Sequence, residues 1–85
     1  LMPREHLEAH VFVIDKGTQL ESEAFRQRLT RAGYRSTSQV VEHGEFSQRG
    51  SIIDLYPMGS RLPYRIDLFD DEVDSIRTFD PETQC

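Results

Sequence analysis

Eighty-five residues make at most one small domain, and ten basic against fifteen acidic residues leave it a net charge of -5. That balance speaks against a free-standing nucleic-acid binder, whose affinity comes largely from neutralising phosphates. The longest apolar run, Val11 to Ile14, falls far short of the roughly 20 residues of a membrane span. The opening residues are too charged for a signal peptide, and the single cysteine, Cys85, excludes an internal disulfide framework or a cysteine-based zinc knuckle.

Leu, Ile, Val and Phe number 22 of the 85 residues, enough for collapse around a modest core. Nine of the ten basic residues are arginine. Arginine suits planar, bidentate recognition of carboxylates and so hints at a protein partner, although genomic base composition explains the bias equally well. Leu1 ahead of Met2-Pro3 reads as the start of a piece cut from something longer.

In chain order, Val11 to Ile14 predict a strand closed by Asp15-Lys16-Gly17. A helix is expected over about 23–32, with Ser22 as N-cap, Phe25, Leu29 and Ala32 as a buried stripe, and Gly33 as the left-handed residue past its end. Arg26, Arg28 and Arg31 fall on its outer face. Residues 37–43 read as a strand, and His43-Gly44-Glu45 as a turn. Strands are then expected over about 50–56, 64–69 and 73–79, with Asp70-Asp71-Glu72 as a tight turn. The expected fold class is α+β: an antiparallel meander of these three strands, further strands near 11–15 and 37–43, and one main helix.

Alternation along the strands sets some residues apart. Ile66 and Leu68 share one face, and Arg65, Asp67 and Phe69 the other. Pairing Ile66 with Leu55 and Leu68 with Ile53 gives a core side. It also sets Tyr56 against Arg65, Asp54 against Asp67 and Ile52 against Phe69. Other odd-numbered offsets fit as well, while even offsets bury Asp54 among apolar residues. The second face, with Phe69, Tyr56 and Ile52 among Arg65, Asp54 and Asp67, has the make-up of a binding hot spot. The competing reading covers Phe69 with the helix or the 37–43 strand and leaves Arg65, on the diagonal, to neutralise the two aspartates.

Catalytic patterns are missing. The single lysine, Lys16, sits in no phosphate-cradling loop, and the glycines are too dispersed for a dinucleotide fingerprint. His6 and His10 have helical i, i+4 spacing but lack the glutamate of a metalloprotease motif, so a solvated polar segment is the expectation there. His43 beside Gly44 reads as turn chemistry, and Asp70 to Asp74 as a solvated hairpin tip rather than a calcium loop. No catalytic residue, metal or cofactor is expected.

The runs Gly44-Glu45-Phe46-Ser47-Gln48-Arg49-Gly50, Ile53-Asp54-Leu55-Tyr56-Pro57-Met58-Gly59-Ser60 and Pro63-Tyr64-Arg65-Ile66-Asp67-Leu68-Phe69-Asp70-Asp71-Glu72, continued by Asp74 to Asp80 and Thr83-Gln84, carry a resemblance. They resemble the bacterial transcription-repair coupling factor family (Mfd), in its UvrB-like, UvrA-binding module. The excision-repair subunit UvrB is similar over the same stretch, but Pro57 to Ser60 and Pro63-Tyr64-Arg65 favour the coupling factor. The resemblance implies a non-catalytic recruitment domain, spanning residues 1–85 of a larger ATP-dependent translocase in the bacterial cytoplasm. Its implied partner is UvrA, with other domains of the parent masking the same surface at rest and no direct contact with nucleic acid. The implied partner-contacting residues are Arg49, Arg65 and Phe69, supported by Tyr56, Asp54, Asp67 and Ile52. On strict alternation Arg49 points with Ile53 and Leu55, towards the core, unless a bulge or twist at Gly50 re-aims it. Two rival readings stand beside this one: a weak DNA-contacting module using Arg26, Arg28, Arg31 and Arg35, and a structural spacer in which Phe69 is buried.

Overall fold

The expected helix forms one residue earlier than its apolar spacing suggests. In the computed structural model, which describes residues 5–9 and 12–85, α1 runs Ser22–Arg31. Glu21 is its N-cap, in place of the predicted Ser22. The Glu21 carboxylate accepts the amides of Glu23 at 3.0 Å and Ala24 at 3.1 Å, so a charged acceptor does what the serine hydroxyl was expected to do. These two bonds hold the Glu21 carboxyl below its ordinary pKa. At the other end Gly33, at φ +94°, closes a Schellman motif: the Tyr34 amide donates to the Leu29 carbonyl and the Gly33 amide to that of Thr30. Phe25 and Leu29 are buried as predicted, and Ala32 packs at the margin of the same core.

Seven strands accompany the helix: β1 His6–Ala9, β2 Phe12–Asp15, β3 Arg35–Ser36, β4 Glu45–Arg49, β5 Ile52–Leu55, β6 Tyr64–Phe69 and β7 Glu72–Thr78. β1 and β2 form an antiparallel hairpin, and the others a sheet in the order β3-β4-β5-β6-β7. Every pairing in that sheet is antiparallel except the short parallel contact of β3 with β4. The α+β class and the meander therefore hold. Of the predicted first strand, Val11 lies outside the described residues, as does His10 of the His6–His10 pair.

Two stretches depart from expectation. The segment holding His6 is a strand rather than a solvated stretch, because Leu7 is fully buried in the core while His6 bonds to Asp15. The predicted strand at 37–43 does not form. Glu45 Oε1 accepts the amides of Val41 and Glu42, each at 2.9 Å, which curls those residues into a loop. The parallel edge is supplied instead by Arg35–Ser36, and β4 begins where a turn was expected.

The β5–β6 register also differs, by two residues. Ile53 faces Ile66 and Asp54 faces Arg65, whereas the expected pairing set Asp54 against Asp67. The parity is unchanged, so the core side is the one anticipated; the observed offset replaces a pair of like charges with an ion pair. In β7 the register with β6 slips, leaving Asp74 without a partner between Val73 and Ser75. This bulge is why Val73 and Ile76, three residues apart, both reach the core. One cluster unites Phe25 and Leu29 with Leu7, Phe12 and Ile14 of the small hairpin and with Ile53, Leu55, Ile66 and Leu68 of the sheet. Helix and hairpin thus share one side of the sheet, and the other side is left for different work.

Candidate partner-binding face

That other side is read off the pairing register. Ser47, Asp54, Arg65 and Arg77 stand in one cross-strand row, and Arg49, Ile52, Asp67 and Ser75 in the next. Arg49 therefore joins the predicted site residues, contrary to the parity that pointed it at the core. Gly50-Ser51 is a two-residue hairpin loop, and Gly50 takes the positive φ, +58°, that such a loop needs. Reversal over two residues puts Arg49 directly opposite Ile52.

The face divides into a covered half and an open half. In the covered half Tyr56, expected among the exposed supporting residues, is buried with Val40 and Phe79. The His43 ring lies 4.2 Å from the Tyr56 ring, within the expected turn. Arg65 belongs to this half too. Its Nε donates to Asp54 Oδ1 at 2.8 Å, its Nη2 to Asp54 Oδ2 at 3.1 Å and its Nη1 to the Gln84 carbonyl at 3.2 Å. The guanidinium carbon also lies 4.3 Å from the centre of the Phe79 ring. Hydrogen bonding to Asp54 strengthens its hold on the proton, raising its pKa. Asp54 is only 3% exposed, so its charge requires this bidentate partner. Asp67, which Arg65 was also expected to neutralise, faces Ile52 and Ser75 instead.

In the open half stand Arg49, Ile52, Asp67 and Phe69. Phe69 is 71% exposed, the most exposed large hydrophobic among the described residues. Neither the helix nor the 37–43 stretch covers it. It ends β6 where Asp70 and Asp71, at φ +50° and +64°, make the two-residue turn into Glu72. Arg49 is exposed and has no ionic partner among the described residues. Strand spacing and rise put Arg49 and Phe69 about 12 Å apart on this face, with Ile52 and Asp67 between. A lone aromatic and a free guanidinium across a half-polar strip can seat a protein partner: the ring supplies the apolar anchor and the arginine the charge pairing.

The arginines on the helix side are partly engaged. Arg28 lies over the Phe12 ring at 5.4 Å, and Arg35 pairs with Glu45 at 3.2 Å and Glu42 at 3.8 Å. Two of the four arginines that the DNA-contacting reading would use are thus engaged within the chain, Arg35 with carboxylates and Arg28 with an aromatic ring. Among the described residues no cluster of His, Cys, Asp and Glu could hold a metal ion, and no helix is long and apolar enough to cross a membrane.

The model of the UvrB interaction domain matches residues 12–85, a span that takes in the whole five-stranded sheet and both rows of this face. The chain belongs to the UvrB interaction domain family. It is 52% identical over 82 residues to the transcription-repair-coupling factor of Escherichia coli, covering 96% of this chain. Identity to the Haemophilus influenzae protein of the same name is 52% over 84 residues, and to that of Bacillus subtilis 44% over 84 residues, each covering 99% of this chain. The chain spans 7% of the length of each of these relatives. A UvrB interaction domain is an interaction module by its family description, and the open half of the sheet is where this one has side chains free to interact.

Sequence reasoning set Arg65 to neutralise Asp54, as observed, but did not find the other two residues that hold it, Phe79 and Gln84. Phe79 reads as the end of a strand, and Gln84 enters only as part of the resemblance. Yet Gln84, at φ +67°, donates from Nε2 to the carbonyls of Val40 at 2.9 Å and Pro81 at 2.7 Å. Nothing in its local pattern signals a contact 44 residues back along the chain.

Proposed function

We propose that this chain is the UvrA-binding module of a transcription-repair coupling factor: a non-catalytic, cytoplasmic domain that brings the excision-repair protein UvrA to stalled transcription complexes. The observation that carries this reading is the 71% exposure of Phe69 on the same face as Arg49, which has no ionic partner among the described residues, in a chain of the UvrB interaction domain family. Phe69 fills an apolar pocket of the partner and Arg49 takes one of its carboxylates, with Ile52 and Asp67 as the strip between them. Arg65 belongs to the same site from within, held by Asp54 and Gln84. In the parent protein other domains cover this face at rest.

Titration calorimetry of the chain with UvrA, without ATP or DNA, tests the reading. The parent binds, and Phe69→Ala weakens binding by about 2 kcal/mol or more if the ring is a central, desolvated anchor. Arg49→Ala adds a separate loss. A folded Phe69→Ala, Arg49→Ala double variant that binds like the parent would falsify the site.

A further inference from the structure

The helix side of the sheet carries a second opening. Between α1 and the sheet edge lies a groove of about 350 Å³, to which the helix contributes Glu23, Arg26 and Arg31 and the sheet contributes Ser36 and Phe46. Phe46 belongs to the core and gives the groove an apolar floor, with Ser36 directly beside it in the β3–β4 register. Both arginines are exposed, and neither has a salt-bridge partner among the described residues. The Glu21 carboxylate acts on Arg26 only from a distance, and both its oxygens are taken by the helix-cap amides. Two guanidinium groups against the one carboxylate of Glu23 leave the groove an excess of positive charge, on a chain whose net charge is -5.

The main chain beside these arginines is open as well. β3 is the edge of its sheet. The amides of Arg35 and Thr37 donate to the carbonyls of Gly44 and Phe46, each at 2.8 Å. Alternation along the strand turns the amide and carbonyl of Ser36 the other way, off the edge of the sheet, where no further strand meets them.

We infer that this groove receives an acidic segment of a partner protein in extended conformation, laid along the outer edge of β3. Its main chain bonds to Ser36, as in strand addition to a sheet edge. Its carboxylates meet the forks of Arg26 and Arg31, and an apolar side chain rests on Phe46. Arg26 and Arg31 are separated by about 7.5 Å of helix rise, close to the roughly 6.8 Å between alternate residues of a strand. A segment lying alongside the helix therefore answers both arginines with acids two positions apart. A nucleic-acid strand could satisfy the arginines but not the open strand edge, and the acidity of the chain opposes it. The groove is on the opposite side of the sheet from Arg49 and Phe69, so it is a surface separate from the one proposed for UvrA.

The test follows the amide signals of the isotope-labelled chain by nuclear magnetic resonance during titration with the peptide acetyl-Thr-Glu-Thr-Glu-Thr-Phe-Thr-amide. Signals of Ser36 and of the Arg26 to Arg31 turns move, and the Ser36 amide becomes protected from solvent exchange. Glutamine in place of both peptide glutamates weakens binding about tenfold or more, as does Arg26→Glu with Arg31→Glu in the chain. Ser36→Pro removes only the outward amide, which an edge strand tolerates, and abolishes peptide binding in a folded chain. An acidic peptide that leaves Ser36 unmoved, or a glutamine peptide that binds equally well, overturns the inference. So does oligothymidylate that binds the same residues more tightly than the peptide. Should Ser36→Pro fail to fold, the charge reversals decide, and parent-like peptide binding by them overturns the groove. Calorimetry with UvrA keeps the two surfaces apart: the Arg26→Glu, Arg31→Glu variant binds UvrA within about twofold of the parent, and a tenfold loss would overturn the separate groove. A chain that takes the peptide but not UvrA retires the functional reading and leaves this inference standing.

Discussion

Glu45 holds the backbone amide of Val41 at 2.9 Å on a carboxylate oxygen that also takes the amide of Glu42. This carboxylate sets the shape of the loop between β3 and β4. The Val41 amide, more than any other contact, draws the Glu45 carboxyl below its usual range, with the Glu42 amide and Arg35 acting in the same direction against burial. A carboxyl lowered in the folded state stabilises the fold above its unfolded pKa, and that contribution disappears as pH falls through the folded value. Glu45→Gln is expected to cost about 1–2 kcal/mol at pH 7. The gap between parent and variant should narrow towards pH 3, as measured by urea unfolding at both pH values.

Gly50 stands at φ +58° with nothing within 4 Å of where a Cβ would sit. Gly50→Ala therefore meets no clash, and its cost is that of the left-handed backbone alone, about 1 kcal/mol. Gly50→Asn should cost less, since Asn tolerates this region. Thermal unfolding of the two variants ranks them; a parent-like midpoint for alanine would show that the loop has changed type and that Arg49 no longer faces Ile52.

Asp70 and Asp71 both have positive φ in the β6–β7 turn, where Asn-Gly is the favoured pair. Asp70→Asn with Asp71→Gly should raise stability by about 0.5–1 kcal/mol, seen as a melting point a few degrees higher. The Leu20 amide, which donates to the Asp71 carbonyl, loses nothing by the exchange. No rise in melting point would mean that the aspartates compensate for their backbone geometry.

Leu7 has no exposed surface although its neighbours His6 and Glu8 are polar. Leu7→Ala is expected to destabilise the fold by about 2–5 kcal/mol, a large share of the stability of so small a domain. A change below 1 kcal/mol in chemical denaturation would detach β1 from the core.

The legible parts of the fold are those whose side chains repeat a pattern. β6 was placed over Tyr64–Phe69 because Ile66 and Leu68 alternate with Arg65, Asp67 and Phe69, and those are the bounds observed. The helix was placed within a residue by Phe25, Leu29 and Gly33. β1 and β4 escaped because each hides a single strongly apolar residue, Leu7 or Phe46, among polar ones. In β4, Glu45 and Ser47 are buried as well, satisfied by hydrogen bonds that no periodicity reveals. Val40-Val41 misled in the opposite sense: two β-formers sit in a loop because a distant carboxylate claims the amides there. Of the predicted site, Phe69 and its face follow from alternation. The side taken by Arg49 does not, since parity cannot be carried through a two-residue reversal. The bidentate grip of Arg65 on Asp54 depended on a register that sequence narrowed only to odd offsets.

Both tight reversals, at Gly50-Ser51 and at Asp70-Asp71, lie at the same end of the sheet, and each has one of the two free side chains at its stem. Arg49 and Phe69 are thus borne on paired strands rather than on slack connections. A molecule landing on them meets a surface whose main chain is already tied into the sheet. Docking then approaches rigid-body association, so that little motional freedom is forfeited on contact and a modest footprint can suffice for a lasting grip.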